Sequence, residues 1–141
     1  MKKILVINGP NLNMLGIREP DIYGRQDYKA LCDYIGQAAA SLGIETDIFQ
    51  SNHEGEIVDK IQLAYGKYDG IVINPAAYTH TSVAILDALK AVGIPAVEVH
   101  LSDVSKREAF RQISYAGLAC SEHYTGLGFE GYKKALEWFL K

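Results

Sequence analysis

The chain has 141 residues and a mass of 15.5 kDa, a size that fits one domain with a buried core over residues 1–141. Its 48% hydrophobic and 22% charged content is typical of soluble proteins, and a net charge of −3 without a basic stripe disfavours nucleic acid as a partner. No apolar run reaches the length of a membrane span, and the run after MKK stops at Asn8, too short for a signal-peptide core, so we expect a cytoplasmic protein.

Five apolar runs bounded by turn residues predict β-strands. They cover residues 3–8, 44–50, 68–74, 95–100 and, with a weaker pattern, 117–122. Helical periodicity fills most of the intervals between them and also the C-terminal end of the chain. It is found over residues 27–43, 51–66, 79–95 and 130–141.

Helix ends and apolar faces can be predicted from single residues. Gly43 and Gly93 are expected to end the first and third helices, because glycine accepts the left-handed conformation found there. Ser51 with Glu54 three residues later predicts a capping box at the start of the second helix. Tyr65 is expected to complete the apolar face of that helix.

Strands that alternate with helices predict a parallel sheet covered on both faces. For five strands we expect the flavodoxin-like order 2-1-3-4-5. Ligands of such sheets bind at the carboxyl ends of the strands where the order reverses, here between the first and third strands.

Unusual polar residues follow the strands at this same edge. The stretches NGPNLNMLGIREPDIYG, NPAAYTHTS and HLSDVSKREAFR come after the first, third and fourth strands. They are expected to bring together over one crevice the side chains of Asn11, Arg18, Tyr23, Asn74, His80, His100 and Ser102. Simpler interpretations remain open, since Asn74 could belong to a turn and Thr79 or Thr81 could cap a helix.

Glu98 stands out because it lies inside the apolar strand PAVEVH. A buried carboxylate is costly unless it is paired, and the two-residue strand period places His100 on the same face. We therefore predict a Glu98–His100 pair that fixes the tautomer of the imidazole. His53 is assigned to a helix start and His123 to the surface, both as structural residues.

Several common catalytic patterns are missing from the sequence. It has no G-x-G-x-x-G or Walker phosphate loop, no G-x-S-x-G elbow, no metal-type ligand spacing and no lysine inside an apolar strand. What remains is acid–base chemistry by Tyr, Arg, His and Asn without a cofactor. Such residues suit an elimination or isomerisation beside a carbonyl group.

The motifs GPNLNMLGIREPDIYG, NPAAYTHTS, EVHLS and REAFR, in this order, resemble those of type II 3-dehydroquinate dehydratases. The resemblance covers about residues 4–135 and implies a flavodoxin-like fold without a cofactor. It also implies the conversion of 3-dehydroquinate to 3-dehydroshikimate in the shikimate pathway. A homododecamer built as a tetramer of trimers is the assembly that it implies.

The resemblance further implies catalytic roles. Tyr23 matches the base that removes a proton from C2 of the substrate, and Arg18 matches the residue that promotes ionisation of this tyrosine. Asn11 matches the group that stabilises the enolate. His100, oriented by Glu98, matches the acid that protonates the departing C1 hydroxyl. The long segment that carries Arg18 and Tyr23 is expected to act as a lid.

Substrate-binding roles are implied in the same way. Asn74 and the pair Leu101 and Ser102 match the carboxylate site, and His80 and Arg111 match contacts to the ring hydroxyls. Asp87, on the polar side of its helix, matches an aspartate that approaches a neighbouring subunit's site. Some positions depart from the family pattern, namely Leu86, Asp103, Ser105, Ile113 and Glu122.

Two other interpretations remain. A flavodoxin-like module that binds a phosphate-bearing ligand without chemistry would explain the fold, but it would leave the Tyr, Arg, Glu and His set unexplained. A catalytically inactive family member retained for assembly would explain the motifs as well.

Overall fold

The computed structural model describes residues 1–17 and 26–141 and contains one five-stranded parallel sheet. Its strands run in the order β2-β1-β3-β4-β5. They are β1 (Lys3–Asn8), β2 (Glu45–Gln50), β3 (Gly70–Asn74), β4 (Ala96–His100) and β5 (Glu122–Thr125). The predicted flavodoxin-like order is confirmed.

Within residues 1–17 and 26–141, four α-helices cover the two faces of this sheet. They are α1 (Tyr28–Leu42), α2 (Glu54–Leu63), α3 (Val83–Val92) and α4 (Glu130–Trp138). Because side chains alternate along a strand, Ile4 and Val6 of β1 pack under α1 and α4, while Leu5 and Ile7 pack under α2 and α3. In the ranges described, none of the helices combines the length and the apolar character needed to cross a membrane.

The helices α1 and α3 end at the predicted glycines. Gly43 and Gly93 adopt φ angles of 70° and 65° after the last helical residues, as expected for left-handed C-caps. The N-terminal cap of α3 is Ser82, whose hydroxyl accepts a backbone N–H at 2.9 Å. Neither Thr79 nor Thr81 is the cap, because both lie in or beside a short 3-10 helix that precedes α3.

The start of α2 differs from the prediction. His53 is the N-cap residue, as expected, but the capping box of Ser51 and Glu54 is absent. Ser51 lies two residues before the cap, so its hydroxyl accepts the backbone N–H of His53 and donates to Glu56 instead. Tyr65 was wrongly placed on the buried face: it follows the end of the helix and is 72% exposed.

The fifth strand was also predicted at the wrong place. In the stretch 117–122, residues 117–119 belong to the 3-10 helix Ala116–Ala119. The strand begins only at Glu122, the last residue of the stretch, and runs to Thr125. Ala119 and Cys120 of that stretch pack against the core cluster that contains Ile85 of α3, which explains its apolar character. β5 is an edge strand whose residues alternate between half-buried and exposed, so it produces no apolar run.

Candidate active site

Hydrogen bonds from the backbone just after β1 join the carboxyl ends of three neighbouring strands, β2, β1 and β3. Gly9 follows β1 and donates its N–H to the carbonyl oxygen of Asn74 at the end of β3, at 2.7 Å. Asn11 donates its backbone N–H to Oδ1 of Asn52, which follows β2, at 3.0 Å. A Cβ atom at position 9 would lie 2.5 Å from the carbonyl oxygen of Pro75, so this close approach requires glycine.

Backbone strain is concentrated at the same place. Asn11 and Ala76 have φ angles of 71° and 52°, and they are the two non-glycine residues with positive φ in the ranges 1–17 and 26–141. Residues in this region cost conformational energy and cluster at functional sites. Their positions, just after β1 and β3, mark the edge of the sheet where the sequence predicted a crevice.

Glu98 and His100 form the predicted pair at the end of β4. Nε2 of His100 lies 2.8 Å from Oε2 of Glu98, and the two side chains are only 8% and 3% exposed. An ionised carboxylate only accepts hydrogen bonds, so Nε2 carries the hydrogen in this contact. Nδ1 is then the ring nitrogen of His100 that remains for a ligand.

Three further side chains bind the same carboxylate: Thr79, Ser114 and His123. The hydroxyls of Thr79 and Ser114 donate to Oε2, and Nδ1 of His123 lies 3.1 Å from Oε1. We call these three residues, with Glu98 and His100, the Glu98 cluster. Thr79 was predicted only as a candidate helix cap, and Ser114 was not among the predicted site residues.

The assignment of His123 to the surface as a structural residue was incomplete. Its side chain is 45% exposed, but its ring contacts the buried carboxylate of Glu98. The contact follows from the register of β4 and β5, in which Glu98 and His123 are direct partners. Because β5 was predicted at residues 117–122, a range that excludes His123, the sequence pattern gave no reason to pair His123 with Glu98.

The Glu98 cluster keeps the carboxylate ionised. Burial by itself would raise the pKa of Glu98, but the hydrogen bond and charge of His100, with the bonds from Thr79 and Ser114, outweigh burial. The pKa of Glu98 is lowered to about 2 from an ordinary value of 4.5. Glu98 therefore carries a negative charge beside His100 at neutral pH, which orients the imidazole.

Asn74 belongs to a second buried network. Its Nδ2 donates to the hydroxyl of Tyr132 at 2.9 Å, and that hydroxyl donates to Oδ1 of Asn8 at 2.7 Å. Oδ1 of Asn74 accepts the N–H of Ala76 at 3.1 Å. Burial raises the pKa of Tyr132, although the bond from Asn74 lowers it in part, so the hydroxyl keeps its proton. Asn8 and Tyr132 were not among the predicted site residues.

His80 lies beside His100, as predicted. The two rings are nearly parallel, with centroids 6.5 Å apart and 20° between their planes. Nδ1 of His80 is 2.8 Å from the carbonyl oxygen of Ile113 and therefore carries a hydrogen, which leaves Nε2 for a ligand. The crevice thus presents two imidazole rings side by side.

The other predicted residues have varied surroundings. Leu101 and Ser102 follow β4 directly and are half-buried. Arg111 pairs with Glu108 and lies in a short 3-10 helix that packs against the one ending at His80. Asp87 is exposed on α3, away from the core. Arg18 and Tyr23, with the part of the expected lid that carries them, lie outside the described residues.

No group of three or more His, Cys, Asp or Glu side chains in the described ranges is arranged to hold a metal ion. Besides the carboxylate of Glu98 and the guanidinium of Arg111, the polar groups at this edge of the sheet are amides, imidazoles and hydroxyls. Such groups suit hydrogen bonding and proton transfer to a small polar ligand.

A family comparison identifies the family. The model of dehydroquinase class II matches residues 2–140. The chain belongs to the class II dehydroquinase family. The match includes every predicted site residue, among them the two that the structure does not describe.

Relatives named 3-dehydroquinate dehydratase are similar to this chain over nearly their whole length. A 3-dehydroquinate dehydratase of Clostridium perfringens is 57% identical over 140 residues, covering 99% of this chain and 96% of the relative. One from Clostridium acetobutylicum is 55% identical over 130 residues, covering 92% and 90% of the two chains.

Solved structures of the family have the same fold. The type II dehydroquinase of Butyrivibrio crossotus is 52% identical, with a TM-score of 0.95 and coverage of 99% of this chain and 98% of that one. The enzyme of Propionibacterium acnes is 39% identical, with a TM-score of 0.92 and coverage of 99% and 96%.

Proposed function

We propose that this class II dehydroquinase is a 3-dehydroquinate dehydratase. It eliminates water from 3-dehydroquinate to give 3-dehydroshikimate, without a cofactor, as a step of the shikimate pathway. One domain, residues 1–141, carries the activity. The single observation that carries the proposal is the buried Glu98–His100 pair at the crevice of a chain 57% identical to a named dehydratase.

The departing hydroxyl receives its proton from His100. Because Nε2 is bound to Glu98, the proton comes from Nδ1 and passes to the C1 oxygen as the C1–O bond breaks, so that water leaves. Histidine suits this role because its ordinary pKa lies near the working pH. The negative charge of Glu98 stabilises the imidazolium before the transfer and keeps the ring oriented.

The proton on C2 is removed by Tyr23 as a phenolate, and the enolate of the C3 carbonyl forms. An ordinary tyrosine has a pKa near 10, so lowering it by about three units requires roughly 4 kcal/mol. Arg18, always protonated, supplies much of this in a partly desolvated site. Both roles rest on the family resemblance of the segment that carries these residues.

Asn11 stabilises the enolate oxygen, directly or through water. Its side chain is exposed at the rim of the crevice, and its left-handed backbone is held by the bond to Asn52. This anchoring supports the role, because it fixes the backbone from which the side-chain amide reaches the enolate, and donors placed in advance stabilise developing charge with little reorganisation.

The substrate carboxylate is bound by Asn74 with Leu101 and Ser102, and the ring hydroxyls by His80 and Arg111. Asn74 uses one Nδ2 hydrogen for Tyr132 and retains a second one for a ligand. The free Nε2 of His80 beside His100 supports its placement at a hydroxyl.

We also propose that the protein is cytoplasmic and forms a homododecamer, a tetramer of trimers, in which Asp87 approaches a neighbouring subunit's site. Exposed apolar side chains support self-association. The largest on or near α3 and the segment after β4 are Val83, Phe110, Ile113 and Leu118. Sedimentation velocity on the purified protein tests the assembly.

The activity is tested by mixing purified protein with 3-dehydroquinate and following the ultraviolet absorbance of the conjugated enone product. Tyr23→Phe is measured in parallel, with Tyr65→Phe as an exposed control outside the site. A rise in absorbance that nearly vanishes only in Tyr23→Phe supports both the reaction and the base. A rise that survives Tyr23→Phe rejects this base, and no rise with the unmodified protein rejects the dehydratase and favours a binding module.

A further inference from the structure

The carboxylate of Glu98 is shared by two histidines of different exposure. His100, 8% exposed, binds Oε2 at 2.8 Å, and His123, 45% exposed, binds Oε1 at 3.1 Å. The two rings come from neighbouring strands, β4 and β5. The proposed mechanism uses only the first of them.

Hydrogen-bond chemistry fixes the tautomers. The ionised carboxylate only accepts, so His123 must direct an Nδ1–H toward it, as His100 directs an Nε2–H. Packing holds the second contact in place. A Cβ atom at Gly117 would lie 2.9 Å from both Oε1 of Glu98 and Cε1 of His123, so only glycine leaves room for this arrangement.

We propose that His123 is a positioning residue that acts through Glu98 and keeps His100 a strong enough acid to protonate the leaving hydroxyl. A carboxylate that also receives an N–H at Oε1 has less negative charge to offer at Oε2. His100 therefore holds its proton less firmly than it would if Glu98 were bound to His100 but not to His123. The inference rests on the proposed role of His100 as the general acid.

A positive charge on the ring of His123 would draw more of the carboxylate's charge toward Oε1 and so act in the same direction. Other titratable groups face the cluster. The ring of His80 lies beside His100, and Oε1 of Glu122 accepts the backbone N–H of His123 at 2.9 Å. Burial and then the charge of Glu98 raise the pKa of Cys120 to about 12, so its thiol stays neutral while the histidines titrate.

Nitrogen-15 spectra of histidine-labelled protein test the proposal directly, because the chain has only four histidines. We expect neutral His123 to carry its hydrogen on Nδ1, the less common tautomer in water. In His123→Phe, which keeps a ring but removes the N–H, the titration midpoint of His100 should rise by about 0.5 to 1 pH unit. His123→Gln retains an N–H donor, so its His100 midpoint should lie between those of the unmodified protein and His123→Phe.

The matched control is His53→Gln, at the exposed start of α2, which should leave the His100 titration unchanged. If His123→Phe does not give a folded amide spectrum, His123→Leu takes its place. An unprotonated Nδ1 in neutral His123 overturns the proposal, as does an unchanged His100 midpoint in the folded variant.

Kinetics give a second measurement. In His123→Phe the alkaline limb of the kcat profile should move to higher pH by the same amount as the His100 midpoint, with KM nearly unchanged on the plateau. An active variant whose limb does not move contradicts the proposal. Absence of dehydratase activity in the unmodified protein would reject the proposed function instead, and the nitrogen spectra would still decide whether His123 and His100 are coupled.

Discussion

Tyr132 of α4 donates its buried hydroxyl to Oδ1 of Asn8 at the end of β1, across 124 residues of sequence. The same hydroxyl accepts Nδ2 of Asn74 at the end of β3. One fully buried side chain therefore joins the last helix to both strands that flank the crevice. This connects the stability of the fold with the position of a proposed substrate-binding amide.

Removal of that hydroxyl should affect both properties. Tyr132→Phe leaves Oδ1 of Asn8 and one hydrogen of Asn74 without a partner, so we expect the free energy of unfolding to fall by about 1–3 kcal/mol. KM should rise more than kcat falls, because Asn74 contacts the substrate carboxylate in the proposed site. Urea unfolding and steady-state kinetics measure the two effects, with Tyr65→Phe as the exposed control. Unchanged stability would contradict the assigned network.

Glu98→Gln should lower kcat strongly while KM changes little. The substitution removes the negative charge that holds the imidazolium of His100, and the role of a positioned acid is typically worth about 10²–10⁴ in rate. The double variant with His100→Gln should be no slower than His100→Gln alone, since the two residues act as a unit. Glu137→Gln, exposed on α4, serves as the control. Additive losses in the double variant would contradict the pairing.

The lowered pKa of Glu98 should also appear in the acid stability of the protein. A carboxyl whose pKa falls on folding stabilises the native state above its unfolded pKa, and that stability is lost as the pH falls from about 4.5 to about 2. A pKa shift of this size contributes about 3 kcal/mol to the free energy of unfolding at neutral pH. Urea unfolding between pH 6 and pH 2 should show a steeper loss in the unmodified protein than in Glu98→Gln. Equal slopes would argue against the ionised, buried carboxylate.

Gly117 offers a test of packing around the Glu98 cluster. In Gly117→Ala the new Cβ atom would lie 2.7 Å from Oγ of Ser114 and 2.9 Å from Oε1 of Glu98, so the cluster must shift. We expect the free energy of unfolding to fall by about 1–3 kcal/mol and kcat to fall as well. Gly36→Ala, in open space on α1, should instead stabilise by about 0.5–1 kcal/mol. Thermal unfolding and the absorbance assay measure stability and kcat for Gly117→Ala and Gly36→Ala. Equal stability and equal kcat in the two variants would contradict the tight packing at Gly117.

The sheet was predictable from sequence where its strands are buried on both faces. β1, β3 and β4 read as apolar runs, and the charged residue inside β4 identified the Glu98–His100 pair. β5 was misplaced because an edge strand alternates between half-buried and exposed residues, whereas the apolar stretch before it is a 3-10 helix.

The site residues that were missed share one property. Their contacts join segments that are distant in sequence and that no repeating pattern of apolar residues relates to one another. Ser114 lies in an irregular segment, and His123 reaches Glu98 only through the register of β5. Asn8 was correctly predicted as the last residue of β1, but nothing in the sequence indicates that its buried side chain binds Tyr132. Neither apolar periodicity nor a local motif reports such contacts, because they depend on how the helices and strands pack.

The contact between Gly9 and Pro75 has a consequence for how this site can vary over time. A side chain at position 9 would strike the carbonyl oxygen of Pro75, so it is tolerated only where the chain after β3 has moved away. The constraint comes from the backbone at position 75 and not from its side chain. Among descendants of this chain, position 9 is therefore expected to remain glycine as long as the backbone after β3 keeps this path.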